Sequence, residues 1–336
     1  MNDPRAIDGV LVQWGDRLFY DGIRRVPTGQ GGMRSGGGLR ERAAVVRRRI
    51  EATAVRRAPQ VMVKVTGGGR GMAAITAHFR YISKGGRLPM ENDRGLLRDG
   101  KESVQDVADQ WRYGGSRIPE RSDRREAFNI MLSMPRGTDP LTVQRAAREF
   151  AQVELAGHRY VMVLHDHQAN PHVHLSVRSE STLGKRLNPR KADLQRWRET
   201  FAERLRSWGI DAEATRQATR GEQRNHPNLW RTKAASGERL REPAGPQKSG
   251  ERFHANRMKS IEAWLRIAQA LEKSDEPTDR KLAQAVIGYV KRMPFAIEFT
   301  RQRQAALQRE LPGMRARAPQ RTIETRHSLS GPEIER

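Results

Sequence analysis

The chain has 336 residues, a formal net charge of +24 and no cysteine. The lack of cysteine excludes disulfide bonds, thiolate zinc sites and a thiol nucleophile, and the sequence shows no apolar run of about 18 residues that would indicate a membrane span. With only 36% hydrophobic residues, so large an excess of Lys and Arg favours a polyanionic partner, and nucleic acid is the first candidate.

Composition divides the chain into three predicted regions. Glycine interrupts residues 1–59 and arginine dominates their second half, which predicts a basic flexible N-terminal arm with a short helix around 39–57. Residues 60–222 carry regular hydrophobic patterns and are predicted to form the ordered domain. Residues 223–336 are polar, basic and dotted with proline, which predicts a partly helical C-terminal region with a disordered tail.

The hydrophobic periodicity of residues 60–222 alternates between that of strands and that of helices. Strands are predicted at 61–65, 127–135, 159–165 and 172–178, and helices within 71–86 and at 101–113, 141–157 and 191–209; two further helices are predicted at 255–273 and 278–292. This order predicts an α+β fold. We expect a central antiparallel sheet with helices packed on one face, an open face for the partner, and a helical or disordered C-terminal extension.

Four of the nine histidines lie in one stretch of ten residues, HDHQANPHVH, at 165–174. His172 and His174 stand two apart on a predicted strand, so both side chains project from the same face of the sheet. His165 ends the preceding strand, and the QANP turn brings it back beside the pair. Three imidazoles on one sheet face form a facial ligand set for a divalent metal ion, which predicts a metal site.

A metal ion that faces a polyanion can act as a Lewis acid on a phosphoryl oxygen, and the reaction then needs a nucleophile. Without cysteine, the candidates are a metal-bound water, a serine or a tyrosine. Among the five tyrosines, Tyr81 stands out because it lies off the apolar stripe of its helix and precedes the cationic segment SKGGR. The glycine run at 67–71, which leads into this helix, is a second candidate for holding phosphate.

Three blocks of sequence resemble the motifs of a known family: VKVTGGGRGMAAITAHFRYISKGGRL, NIMLSMPRGTDP and HDHQANPHVHLSVR. They are similar to the motifs of the DNA relaxases of conjugative and mobilizable plasmids, which belong to the HUH endonucleases. The pattern resembles the MobP-type branch, which includes the relaxase that processes the T-DNA of Ti plasmids. Together the blocks lie within residues 61–221, under half of the chain.

The resemblance implies a role for each block. In the first block Tyr81 would be the nucleophile, and in the second Ser133 would lie near the DNA phosphate just past the nick. The third block would bind a divalent metal ion, Mg²⁺ or Mn²⁺ with Zn²⁺ as a further candidate, through His165, His172 and His174.

One position departs from the family pattern. Many relatives have an aspartate two residues after the first histidine of the metal motif, where this chain has His167. The group that helps to deprotonate the tyrosine is therefore open between Asp166, His167 and a metal-bound hydroxide. From the residues alone, Asp166 and His167 are either side chains that support the metal ligands or simple turn residues.

The resemblance also implies the biological role. The protein would nick and rejoin one strand at a transfer origin through a 5′-phosphotyrosine intermediate, in a bacterial cytoplasm, with export to a recipient cell while bound to DNA. Its partners would be single-stranded DNA, relaxosome accessory proteins and a type IV secretion coupling protein. The alternatives are a rolling-circle replication initiator with the same chemistry, a non-catalytic single-stranded-DNA-binding accessory protein, and a metal-dependent RNA-binding or nuclease protein that forms no covalent adduct.

Overall fold

The computed structural model describes residues 3–20, 36–168, 170–222 and 250–315. Part of the predicted N-terminal arm, the polar stretch 223–249 and the tail after residue 315, which was predicted to be disordered, lie outside the described residues. None of the described helices combines the length and the apolar character needed to cross a membrane.

The described residues form helices and one sheet. The helices are α1 (Pro4–Phe19), α2 (Gly36–Ile50), α3 (Met72–Ile82), α4 (Gly100–Tyr113), α5 (Pro140–Glu154), α6 (Lys191–Ser207), α7 (Glu251–Glu272), α8 (Pro277–Lys291) and α9 (Pro294–Arg315). A π-helical turn, Glu51–Val55, extends α2. The strands are β1 (Met62–Gly67), β2 (Met90–Asn92), β3 (Leu97–Arg98), β4 (Ala127–Ser133), β5 (Tyr160–His165) and β6 (His172–Arg178).

The six strands form one sheet in the order β1-β4-β6-β5-β2-β3, and every neighbouring pair is antiparallel. The β5–β6 hairpin occupies the centre. Alternating residues of β4 and β6, such as Leu132 and Leu175, face α5 and α6 and build the main hydrophobic core with Phe150 and Trp197. This arrangement confirms the predicted α+β fold and its central antiparallel sheet, with α5 and α6 packed on one face.

The opposite face of the sheet carries the histidines and is called here the histidine face. Helices α3 and α4 cover its β5 side, where Phe79 and Trp111 pack with Val161 and Val163 in a smaller core. The short strands β2 and β3, of which β3 forms one edge of the sheet, were not predicted, because residues 91–125 are too polar to show a strand pattern.

The N-terminal region is helical where the structure describes it, rather than a flexible arm. Asp3 accepts a hydrogen bond from the Arg5 amide and Pro4 begins α1, which is a common start for a helix. Leu11 and Phe19 of α1 and Ile50 of α2 then pack against α7 and α8 in a second hydrophobic core. The sequence interpretation missed this core because its two halves lie at opposite ends of the chain.

A partly buried arginine joins three helices of this second core. The Arg47 guanidinium of α2 donates one hydrogen bond to Asp8 of α1, at 2.7 Å, and two to Asp279 of α8, both at 2.9 Å. Both carboxylates are buried. Removing Arg47 would leave two buried charges without their partner, so we expect Arg47→Ala to lower the free energy of unfolding by about 3 kcal/mol, as measured by chemical denaturation.

The control for Arg47 is Arg42, whose ion pair with Asp16 is exposed, with side chains that are 54% and 43% accessible. We expect Arg42→Ala to cost less than about 1 kcal/mol, because water already solvates both charges. Equal losses in the two variants would show that Arg47 does not hold the N-terminal and C-terminal helices together.

Candidate active site on the histidine face

The hairpin brings the three predicted ligand residues together. His165 and His172 are direct cross-strand partners, and His174 follows on the same face. The ring centroids lie 4.7 Å apart for His165 and His174, and 5.0 Å apart for each of the other two pairs. One ligand nitrogen from each ring can be chosen so that all three lie within 4.8 Å of one another, and all three residues are buried.

Backbone carbonyls orient two of the three rings. His165 Nε2 lies 2.7 Å from the Ile82 carbonyl oxygen, and His172 Nδ1 lies 2.9 Å from the Asn170 carbonyl oxygen. A carbonyl can only accept, so these nitrogens carry the proton and the other nitrogen of each ring keeps its lone pair. A ligand histidine in a metal site typically has such a partner for its second nitrogen.

The end of α3 supplies one of these carbonyls, because the last carbonyls of a helix lack partners within the helix. The chain leaves the helix through Gly85 and Gly86, both with positive φ. A Cβ on Gly86 would come within 2.4 Å of the Gly100 backbone, so only glycine fits this close approach. The sharp turn keeps the Ile82 carbonyl directed at His165.

The donor set fits a metal ion. Within the described residues, His165 Nδ1 and His174 Nδ1 are buried and have no hydrogen-bond partner. Burial lowers the pKa of His165 and of His172, and it lowers the pKa of His174 to about 3. The rings are therefore neutral near pH 7 and offer lone pairs, which is the form of imidazole that binds metals. These three residues could hold a metal ion.

Tyr81 lies beside this triad. Ile75, Phe79 and Ile82 of α3 face the core, as the helical stripe predicts, and Tyr81 projects away from them with 64% of its surface exposed. Its ring centroid lies 6.3 Å from that of His174. The tertiary structure thus places an accessible phenol next to the three buried imidazoles.

A fourth histidine at this site was missed by the sequence interpretation. The His78 ring lies 6.4 Å from the Tyr81 ring and 6.5 Å from the His174 ring. Burial lowers the pKa of His78 to about 4, so this ring is also neutral near pH 7. The available signal was its position three residues before Tyr81, a spacing that places two side chains on the same side of a helix.

The other predicted residues border the triad. Ser133 pairs with His172 in the sheet and is buried, and its hydroxyl donates to the Pro171 carbonyl at 3.3 Å. Asp166 and His167 follow β5, and the His167 ring lies 5.1 Å from the His165 ring. The Asp166 carboxylate lies 4.0 Å from His167 Nδ1.

The glycine run before α3 serves packing rather than phosphate binding. A Cβ on Gly68 would lie 2.3 Å from the Ala127 carbonyl oxygen, and one on Gly71 would lie 2.4 Å from the Glu120 carbonyl oxygen. The first amides of α3 already donate to the backbone carbonyls of Pro119 and Glu120. The first two amides of α3 therefore already have backbone partners, which argues against the predicted phosphate site at 67–71.

The family model described as "Relaxase: MobA/VirD2-like, nuclease domain" matches residues 81–210. The matched segment begins at Tyr81 and includes β4 and the complete β5–β6 hairpin with its three histidines. No curated protein matches the chain.

Proposed function

We propose that the chain nicks and rejoins one DNA strand at the transfer origin of a plasmid or another mobile element, because residues 81–210 match the MobA/VirD2-like relaxase nuclease family. The family supports DNA nicking for mobilization and the binding of single-stranded DNA. One observation carries the finer proposal: the exposed Tyr81 ring lies 6.3 Å from the ring of His174, which belongs to a buried triad of neutral imidazoles.

Tyr81 is the proposed nucleophile. Its phenolic oxygen attacks the scissile phosphorus and forms a P–O bond, while the bond from phosphorus to the 3′-oxygen breaks. The products are a 5′-phosphotyrosine link and a free 3′-hydroxyl. One phosphodiester replaces another, so the reverse attack by the 3′-hydroxyl rejoins the strand without an energy source.

His165, His172 and His174 would hold the divalent cation, Mg²⁺ or Mn²⁺ with Zn²⁺ as a further candidate. When bound, it supplies Lewis-acid stabilisation of the charge that develops on the phosphoryl oxygens. Burial lowers the pKa of each of the three rings, so their lone pairs would be free of protons and available to a cation. The carbonyls of Ile82 and Asn170 fix the orientation of two of the rings.

The proton of Tyr81 needs an acceptor during the attack. We propose Asp166 or His167, because both lie next to His165 at the open end of β5 and their side chains are accessible. The released 3′-oxygen takes up a proton in the same step. Accessible groups at this end of the hairpin can exchange protons with water between nicking and rejoining.

Ser133 is proposed to contact the phosphate next to the nick. For this its hydroxyl must leave the Pro171 carbonyl, to which it now donates. We expect Ser133→Ala to slow cleavage about tenfold, which is the usual scale for one lost hydrogen bond to a charged group. Ser133→Thr, which keeps the hydroxyl, should recover most of the rate in the same cleavage assay. Equal cleavage rates for wild type and Ser133→Ala would show that the Ser133 hydroxyl does not contact the phosphate and only bonds to the protein backbone.

The family likeness also motivates proposed partners. Relaxosome accessory proteins would recruit the chain to its origin, and a type IV secretion coupling protein would receive it with the covalently attached strand. Relaxases of the matched family mobilize DNA, so the match favours this role over a rolling-circle replication initiator.

The test uses a strand from the transfer origin that carries a label on the 3′ side of the proposed nick. The full chain is incubated with the strand and Mn²⁺, and the products are separated on a denaturing gel. We expect a labelled protein band that reverts to intact strand when excess 3′-hydroxyl fragment is added. Cleavage without a protein band would indicate a metal-dependent nuclease, and binding without cleavage would indicate an accessory DNA-binding protein.

A further inference from the structure

Among the described residues, the histidine face is open beside the triad, over β1 and part of β4. Helix α3 crosses β6, and α3 and α4 together bury the β5 side. On this face Met62 and Lys64 of β1 are exposed and Met131 of β4 is partly accessible, whereas their neighbours on the other face are buried in the main core. The open part therefore begins at the edge of the area that α3 covers, next to Tyr81 and the triad.

Three side chains define this open part, which we call the β1–β4 shelf: Met62 and Lys64 of β1 and Met131 of β4. The sheet register places Lys64, Met131 and His174 in one row across three adjacent strands. Neighbouring strands are about 4.8 Å apart, so the row puts the Lys64 backbone about 10 Å from that of His174. Met62 lies in the next row, which contains Ser133 and His172.

We propose that the β1–β4 shelf binds the segment of single-stranded DNA that flanks the scissile phosphate. This inference rests on the proposed function and adds the path of the strand. DNA held between Tyr81 and the triad meets α3 on one side, so the strand continues over β4 and β1. Lys64 binds a backbone phosphate, and the two methionines pack against the bases.

The side chains suit this occupant. The Lys64 ammonium is exposed, and among the residues that the structure describes no carboxylate pairs with it. A lysine on an edge strand can follow a phosphate that shifts between nicking and rejoining. Methionine adapts its shape to different apolar partners, so Met62 and Met131 can contact any base. The shelf therefore contributes affinity that does not depend on sequence.

The absence of cysteine allows a direct test of occupancy. Met62→Cys places one thiol on the shelf, and Met258→Cys places one on α7; the two methionines are 41% and 40% exposed. The rate of thiol reaction with a maleimide is measured with and without an oligothymidylate strand of about 20 nucleotides. We expect the strand to slow the reaction of Met62→Cys in proportion to the bound fraction and to leave Met258→Cys unchanged.

A second measurement isolates the lysine. Lys64→Ala removes one proposed phosphate contact, so the salt dependence of oligothymidylate binding should weaken by about 0.7 in the slope of log K against log salt. The control is Lys281→Ala, which removes the same charge from an exposed position on α8. We expect the Lys281 variant to keep the wild-type slope.

Each outcome separates the shelf from the nicking chemistry. If the strand does not slow the maleimide reaction of Met62→Cys although the wild type forms adducts, the shelf proposal is wrong and the nicking proposal stands. If the strand slows the maleimide reaction of Met62→Cys but the wild type never cleaves DNA, the shelf proposal stands and the nicking proposal is wrong. Protection that increases with protein concentration in the absence of DNA would overturn the shelf, because a second copy of the chain would then cover this face.

Discussion

Tyr81→Phe is expected to abolish the covalent protein–DNA adduct, with a loss of cleavage of at least about 1,000-fold, as for removal of other catalytic nucleophiles. The substitution removes one oxygen and keeps the ring that lies beside His78 and His174. The fold and the affinity for single-stranded DNA should therefore be retained. The measurement is the denaturing-gel assay together with a binding titration on the same strand.

The control for Tyr81 is Tyr113 at the end of α4. The two tyrosines have nearly the same exposure, 64% for Tyr81 and 66% for Tyr113, but Tyr113 lies outside the ring cluster around the triad. Tyr113→Phe should cleave and form the adduct at the wild-type rate. If Tyr81→Phe still formed the adduct, another residue would be the nucleophile and the proposed mechanism would be wrong.

The second large effect concerns the metal ligands. His174→Ala should abolish tight binding of Mn²⁺ and slow cleavage by about 100-fold or more, because even the outer partners of metal ligands typically contribute 10- to 100-fold. A chelator should inhibit the wild type to the same level, and added Mn²⁺ should restore the wild type but not the variant. Calorimetric titration with Mn²⁺ measures the binding, and the adduct assay measures the rate.

His254→Ala is the matched control, because this histidine lies on α7 and contacts Phe253 and Phe295 rather than the triad. We expect it to bind Mn²⁺ like the wild type. Full cleavage in the presence of chelator would contradict a metal-dependent reaction, even if His174→Ala were inactive for another reason. Retained Mn²⁺ affinity in His174→Ala would show that the ion binds elsewhere.

Residues of the site that depend only on their own or an adjacent element could be predicted from local sequence patterns. His172 and His174 share a face because they are two apart on a strand, and a short turn returns His165 to them. Tyr81 was singled out because it lies off the helical stripe and because its surroundings resemble a relaxase motif. Each of these inferences uses residues within one or two adjacent elements.

Residues whose role depends on distant segments were not predicted. His78 joins the site only because α3 crosses β6, and the glycine run packs against backbone around residue 120 instead of binding phosphate. The second core escaped prediction for the same reason, since it joins α1 and α2 to α7 and α8. Its glycine- and arginine-rich surroundings suggested flexibility, whereas buried Leu11, Ile50 and Trp264 stabilise helical order.

The sequence by itself determined the α+β class, the strand that carries the histidines and the face to which they point, because periodicities of 2 and 3.6 residues assign side chains to faces within one element. Only the tertiary structure decided how far that face is open. Helices α3 and α4 bury the β5 side and leave Met62 and Lys64 of β1 exposed and Met131 of β4 partly accessible, because packing between elements distant in the chain depends on the register and crossing of those elements.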